Sequence, residues 1–411
     1  MTTSRLTRHF IVLRALRWLP VGVVLPFQVV IPQARGLSLA EIGVVFAVHS
    51  GVAIALEVPS GALADLVGRR RVLLAGAALT AVSLIVFAAA SNVAAFSCSI
   101  ALLATGRALI SGSLEAWYID DLRLLDPVAP LARGLSRGTA AEGVAMATGA
   151  LAGGAIVAVS GYSTAVMAGA LAALVYLVAV AALVSERPRS GPQPSASMRR
   201  RARDVFTTAR RETAASTAVQ VVFVTAVGFG VSVTAVELLW QPRLAGLIGS
   251  GETHGIAFGA LVAGSMLAVA LGAGLSPSIS RRLSLVRGYV VAVALAALCI
   301  ALLGAPASPL AFAAVYLAAY LSFGAAEPMH YELLNDAVGA SARATLISAE
   351  SLATQGGALV ANLGVAALAA AHGAPEVWAL AGALLALTSC CAGIALRRAS
   401  GLGSPASRSA S

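Results

Sequence analysis

Twelve apolar runs, each about long enough to cross a bilayer, constrain this chain more than any single residue does. They fall at 11–33, 39–64, 71–91, 93–119, 139–160 and 163–184, then at 214–240, 255–277, 287–305, 309–334, 345–370 and 374–396. A hydrocarbon core about 30 Å thick needs roughly 20 residues of helix at about 1.5 Å each. The composition agrees: 59% of residues are hydrophobic and 11% charged, whereas a soluble domain carries roughly twice that charge. Few aromatics and abundant Ala and Gly suit helices that pack closely on small residues. The expectation is an all-α membrane protein with twelve transmembrane helices.

The one long polar stretch, Ser185 to Arg211, divides the runs six and six. We read residues 1–185 as one six-helix bundle, 186–213 as a basic cytoplasmic linker, 214–397 as a second six-helix bundle and 398–411 as a disordered cytoplasmic tail. Every one of the 28 basic residues is Arg. With the N-terminus inside, 25 of them fall in the N-terminal segment, the inner loops, the linker or the tail; Arg35 and Arg243 lie outside and Arg107 within a span. That asymmetry orients both termini to the cytoplasm. The sequence pI of about 10.3 therefore reports membrane orientation, and no nucleic-acid partner is expected. The absence of Lys and the Ala and Gly bias indicate a GC-rich, bacterial genome. Cys98, Cys299, Cys390 and Cys391 lie in apolar runs without metal-ligand spacing. The first run, with Pro20, Pro26 and Pro32, reads as a spanning helix and not as a cleaved leader.

The halves share an offset. Gly112-Ser-Leu-Glu115 in the fourth span recurs as Gly324-Ala-Ala-Glu327 in the tenth, and 327 − 115 = 212. The same shift carries Arg69-Arg70 onto Arg281-Arg282, since 281 − 69 = 212. Two features in different helices on one offset imply two parallel, pseudo-symmetric bundles with a substrate site between them.

After the second span comes Gly61-Ala-Leu-Ala-Asp65-Leu-Val-Gly68-Arg69-Arg70-Arg71. Gly61 and Gly68 suit close backbone approach in a turn, Asp65 can accept from backbone at a helix end, and the arginines can bind nearby carboxylates. This stretch resembles the signature motif joining helices 2 and 3 of the major facilitator superfamily, and the chain as a whole resembles that family's drug-efflux-like branch. The resemblance implies a cytoplasmic gate in which Asp65, Arg69 and Arg70 latch the two halves, with Asp120 or Asp121 as acidic partner. Its second-half counterpart, Pro277 to Arg282, has Pro277 at the position of Asp65 and is degenerate. Two further likenesses are partial. The family's helix 4 motif has Gly four residues after Arg, whereas Arg107 here is followed by Ser111 and then Gly112. Gly149-Ala150-Leu-Ala-Gly153-Gly154 resembles the antiporter motif but has Ala150 in place of its Pro.

Ionisable groups inside spans cost about 2.5–3.5 kcal/mol at mid-membrane, so each is a functional candidate. Helical spacing puts Arg107, Ser111, Glu115 and Tyr118 on one face of the fourth span, and His49, Ala53, Glu57 and Ser60 on one face of the second. The seventh offers Gly230, Thr234, Glu237 and Gln241, with Glu237 near the outer interface. The tenth offers Tyr316, Tyr320, Phe323 and Glu327, and the eleventh Ser348, Ser351, Gln355 and Asn362. The candidate proton or substrate cavity is thus Arg107, Glu115, Glu327, Glu57, Tyr320 and Gln355, with Glu115 or Glu327 as proton carrier. Arg14 and Arg17 are expected to snorkel to the inner surface.

No nucleotide-binding loop, nucleophile-and-base constellation or metal spacing appears, so neither ATP, another cofactor, a metal nor an enzyme activity is expected. The leading reading is a secondary active transporter, a proton-coupled exporter of small amphipathic or drug-like molecules, monomeric in the lipid bilayer of the cell membrane. The alternatives are an uptake carrier for a sugar, amino acid or organic anion, which Arg107 would favour, and a membrane sensor or receptor that has lost transport.

Overall fold

The computed structural model describes residues 2–185, 207, 211, 217–249, 254–337 and 343–401. The linker and tail expected at 186–213 and 398–411 lie almost wholly outside these residues. Among those described, every regular element is helical. In chain order the helices are α1 (Thr3–Val24), α2 (Val30–Ala34), α3 (Leu39–Val67), α4 (Arg69–Ala89), α5 (Val93–Ile110), α6 (Ser113–Leu125), α7 (Leu131–Leu183), α8 (Thr217–Ile248), α9 (His254–Leu283), α10 (Leu285–Leu302), α11 (Pro309–Ala337), α12 (Arg343–His372) and α13 (Ala374–Gly401).

Among the described residues eleven helical segments are long and apolar enough to cross a membrane, and one of them holds two spans. Helix α7 has 53 residues, about 80 Å if straight and more than twice a bilayer core. At Gly161 the backbone turns to φ 79°, ψ 174°, a conformation that needs a residue without a side chain, and the helical path breaks there. The two runs at 139–160 and 163–184 meet at this point, which gives the twelve transmembrane helices of the expected fold. The N-termini of the helices are specified locally. Ser38 and Glu41 form a reciprocal capping box at the start of α3, and Asn92 caps α5 by accepting from the Ala95 amide at 2.9 Å.

The first span is the most irregular. Pro26 opens a short 3-10 turn, Leu25–Phe27, between α1 and α2, where the chain loses regular α-helical hydrogen bonding. The fully buried Gln241 of α8 fills the gap. Its carboxamide oxygen accepts from the amides of Val29 and Val30 at 2.9 and 3.2 Å, and its nitrogen donates to the Leu25 carbonyl at 3.2 Å. Freed backbone groups at membrane depth demand such partners.

The helices form two compact units, Met1–Arg201 with Leu238–Leu267, and Ala202–Glu237 with Ala268–Ser411. The first unit is cored by Leu6, Phe10, Leu13, Leu73, Ile110, Trp117, Tyr118 and Tyr176. Large apolar side chains such as Leu151, Val159, Met167, Leu171 and Val178 point outward along α7, the pattern of a helix solvated by lipid. Its other face carries small residues. Gly149, Gly153 and Gly154 touch backbone directly, Gly149 against Leu19, Gly153 against Val23 and Gly154 against Gly255 of α9. Without a hydrophobic force between helices in lipid, such close approach is what packs them.

A Cβ at Gly149 would lie 2.6 Å from the Leu19 carbonyl oxygen, whereas at Gly143 of the same helix nothing lies within 4 Å. Gly149→Ala is therefore expected to cost about 1–3 kcal/mol through overpacking, and Gly143→Ala to leave stability unchanged or slightly raised. Apparent melting temperatures of the two variants in detergent check this.

Candidate functional site

The fourth span is not continuous, and that decides where its polar residues go. Gly112, at φ 73°, is left-handed and ends one helix and starts the next. The Ser111 amide makes the last bond of α5, to the Arg107 carbonyl at 2.8 Å, and the Ser113 hydroxyl donates back across the break to Leu109 at 2.8 Å. The face expected to run through Arg107, Ser111, Glu115 and Tyr118 is therefore split. Its repeat partner Gly324 sits in unbroken α11 against the backbone of Val269, so equivalent residues of the two halves do different work.

Beyond the break, Glu115 lies in the first turn of α6, where the helix dipole favours a carboxylate. It is ion-paired with Arg14 of α1, and Arg17 stands 3.9 Å away. Arg14 also pairs with Glu142 of α7 at 2.6 Å. The expected snorkelling of Arg14 and Arg17 is corrected by this geometry. Their side chains are only 14% and 12% exposed, because two internal carboxylates offer stronger partners than distant water. Glu142 was missed in the sequence reading, although a carboxylate in the apolar run 139–160 carried the same signal as Glu115.

Before the break, Arg107 of α5 points elsewhere. Its guanidinium sits 5.2 Å over the indole of Trp18, and Arg17 lies 5.5 Å over the same ring. Among the described residues no carboxylate comes within 4.0 Å of Arg107. Tyr118 is packing: it stacks on Phe10 with centroids 4.2 Å apart and shares a 3.1 Å hydrogen bond with Thr7.

At the α3–α4 turn, Arg69 is ion-paired to Asp120 of α6 at 2.9 Å. Arg70 instead donates to the carbonyls of Val184 and Ala181 at 2.9 and 3.0 Å, capping the end of α7. Gly68 forms the turn itself, and Asp121 is buried. Gly61 and Asp65 both lie within α3, so of the two glycines expected in the turn only Gly68 is there; the side chain of Asp65 lies outside what the structure describes. Glu57 is half-buried on α3.

The second unit holds two further polar contacts. Tyr320 of α11 donates its hydroxyl to Glu237 of α8, with Tyr316 buried 4.7 Å behind it and Phe323 and Phe229 forming an edge-to-face series. Glu237 is thus half-buried and engaged. His330 of α11 meets Glu350 of α12 at 2.5 Å, beside the ring of Tyr289 at 5.7 Å. Neither His330 nor Glu350 was singled out in the sequence. Glu327, one turn before His330, is exposed on α11 with no ion-pair partner within 4.0 Å among the described residues. Gln355 is half-buried on α12.

Charged groups held inside long apolar helices of this number and arrangement define a multi-pass transporter fold. The chain belongs to the Major Facilitator Superfamily, whose model matches residues 10–361. It is similar in structure to the nucleoside transporter NupG, at 13% identity and a TM-score of 0.78 over 95% of this chain and 99% of that one. It is also similar to the POT family transporter PepTSo, at 12% identity and 0.77 over 97% and 98%. A third likeness is to a bacterial homolog of the human lysosomal transporter Spinster in an inward-facing, unoccupied conformation, at 16% identity and 0.74 over 96% and 97%. At these identities the likeness is one of fold. No curated protein sequence matches the chain.

Arg14 is the shared counter-charge of two carboxylates. Arg14→Gln is expected to cost about 3 kcal/mol, because Glu142 loses its ion-pair partner and Glu115 keeps Arg17 at 3.9 Å, and adding Glu142→Gln should recover part of the loss. A double-mutant cycle on thermal unfolding measures the coupling.

Proposed function

We propose that this member of the superfamily is a secondary active transporter that exports small amphipathic molecules by alternating access, driven by protons, as in the drug-efflux-like branch. The observation that carries the proton coupling is Arg14 held between Glu115 and Glu142. A proton on either carboxylate weakens one of the two Arg14 ion pairs that join α1 to α6 and α7. Proton occupancy and helix position are then linked, because a ligand shifts a conformational equilibrium by its differential affinity for the two states. Glu327 offers a third carboxylate inside a span.

The direction and the cargo rest on the likeness of Gly61 to Arg71 to the family's gate motif. In this reading Asp65, Arg69, Arg70 and Asp120 form the cytoplasmic latch, and the Arg69–Asp120 ion pair supports it. The protein sits as a monomer in a bacterial cytoplasmic membrane with both termini inside, the orientation that the arginine distribution favours.

The test is flux in proteoliposomes with an imposed pH gradient, using a panel of toxic amphipathic compounds first screened by growth of cells with and without the protein. The gradient is expected to accelerate flux of transported compounds at least severalfold. Glu115→Gln and Glu142→Gln should abolish that acceleration while leaving exchange without a gradient. Flux in the unmodified protein that ignores the gradient for every transported compound would rule out proton coupling.

A further inference from the structure

One face of α7 changes from basic to apolar along its length. At about 100° per residue, Arg133, Arg137, Val144 and Leu151 fall within about 40° of one another. All four are exposed, Val144 at 67% and Leu151 at 52%. Glu142, which pairs with Arg14 inside the unit, lies on the far side of the helix, as do Gly149 and Gly153, which touch the backbone of α1. The exposed stripe is thus the lipid-facing side of α7, and it begins with two arginines.

These two differ from the other arginines at that end of the unit. Arg69 pairs with Asp120 at 2.9 Å, Arg70 donates to the Val184 and Ala181 carbonyls, and Arg123 donates to the carbonyls of Pro127 and Ala129. Arg133 and Arg137 form no ion pair and no side-chain hydrogen bond among the described residues. The acidic side chains near them in sequence are engaged elsewhere. Asp120 meets Arg69, Glu142 meets Arg14, and Asp126 accepts from the Val128 amide at 3.1 Å. The first turn of α7 holds no acidic residue.

The spacing suits a lipid. Arg133 and Arg137 stand about 6 Å apart along the axis, close enough for one phosphodiester to accept from both. Leu151 lies about 21 Å beyond Arg137, the depth of one leaflet with its headgroup region. The Thr148 hydroxyl, exposed between Val144 and Leu151, donates to the Val144 carbonyl at 2.8 Å and leaves that stretch apolar.

We propose that this stripe binds one anionic phospholipid of the phosphatidylglycerol class, with its phosphodiester between Arg133 and Arg137 and an acyl chain along Val144 and Leu151. A zwitterionic lipid suits the two cations less well, because it brings an ammonium group of its own. The lipid holds the start of α7, whose opposite face carries Glu142. The site stands apart from the transport reading above and does not rest on it.

Native mass spectrometry tests the assignment by counting lipids bound to the full chain, stripped of copurified lipid in detergent. Phosphatidylglycerol and phosphatidylcholine with identical acyl chains are titrated in turn. The first phosphatidylglycerol is expected to bind at least about fivefold more tightly, within what two arginines contribute at an anionic headgroup. Arg133→Gln together with Arg137→Gln should bring the ratio to within about twofold of one. Arg5→Gln together with Arg8→Gln removes the same charge from two exposed positions of α1 and should leave the ratio unchanged.

Equal binding of the two lipids, or a preference that survives the α7 double variant, would overturn the proposal. A preference lost equally in the α1 double variant would also overturn it, because bulk charge would then be the cause. Displacement of phosphatidylglycerol by millimolar glycerol phosphate would make this a site for soluble phosphate, and a dimer that takes up no lipid would give the stripe to a second copy; either result sinks the idea. Should the α7 double variant fail to fold, Arg137→Gln alone decides: the ratio is expected to fall at least about twofold, and an unchanged ratio overturns the site.

Discussion

A bilayer core offers no water to a backbone amide, and the rest of this structure follows from that. Continuous helix satisfies the constraint almost everywhere. Where the chain departs from helix, side chains supply what the backbone has lost. Gln241 bonds three backbone groups across the irregular stretch between α1 and α2, and Ser113 bonds back across the gap in the fourth span. A polar residue with no evident role in a sequence of apolar runs can thus be structural, and Gln241 is such a case.

The same low-dielectric setting governs the charges. Arg14 is held because two carboxylates compete for it, and its burial is tolerable only in their company. Breaking the fourth span at Gly112 separates Glu115, which turns toward Arg14, from Arg107, which turns toward Trp18. One left-handed residue thereby splits a single polar stripe into an ion-pair network and an arginine stacked on an indole.

The likeness between the two halves in sequence does not extend to their chemistry. Gly112 breaks its helix and Gly324 does not. Glu115 is paired, and Glu327 is exposed with no ion pair among the described residues. The second unit instead places its contacts between neighbouring helices, Tyr320 with Glu237 and His330 with Glu350. A shared offset of 212 residues records a common architecture, and each half has used that architecture differently.

Hydropathy was enough to read twelve helices, because the bilayer imposes a length and a polarity that every span must show, and the Gly61–Arg71 motif carried the resemblance to the family. Arg69 and Asp120 were also legible, since the turn motif brings both to one end of adjacent helices. Arg14, Arg17, Glu142, His330 and Glu350 were misplaced or passed over, because helical spacing orders residues within one helix and says nothing about which helix stands opposite. The sequence by itself determined that the chain spans the membrane many times and that its charged residues inside the spans need partners. Only the tertiary structure decided which partners they have, because pairing depends on the breaks at Gly112 and Gly161 and on the rotation of each helix against its neighbours.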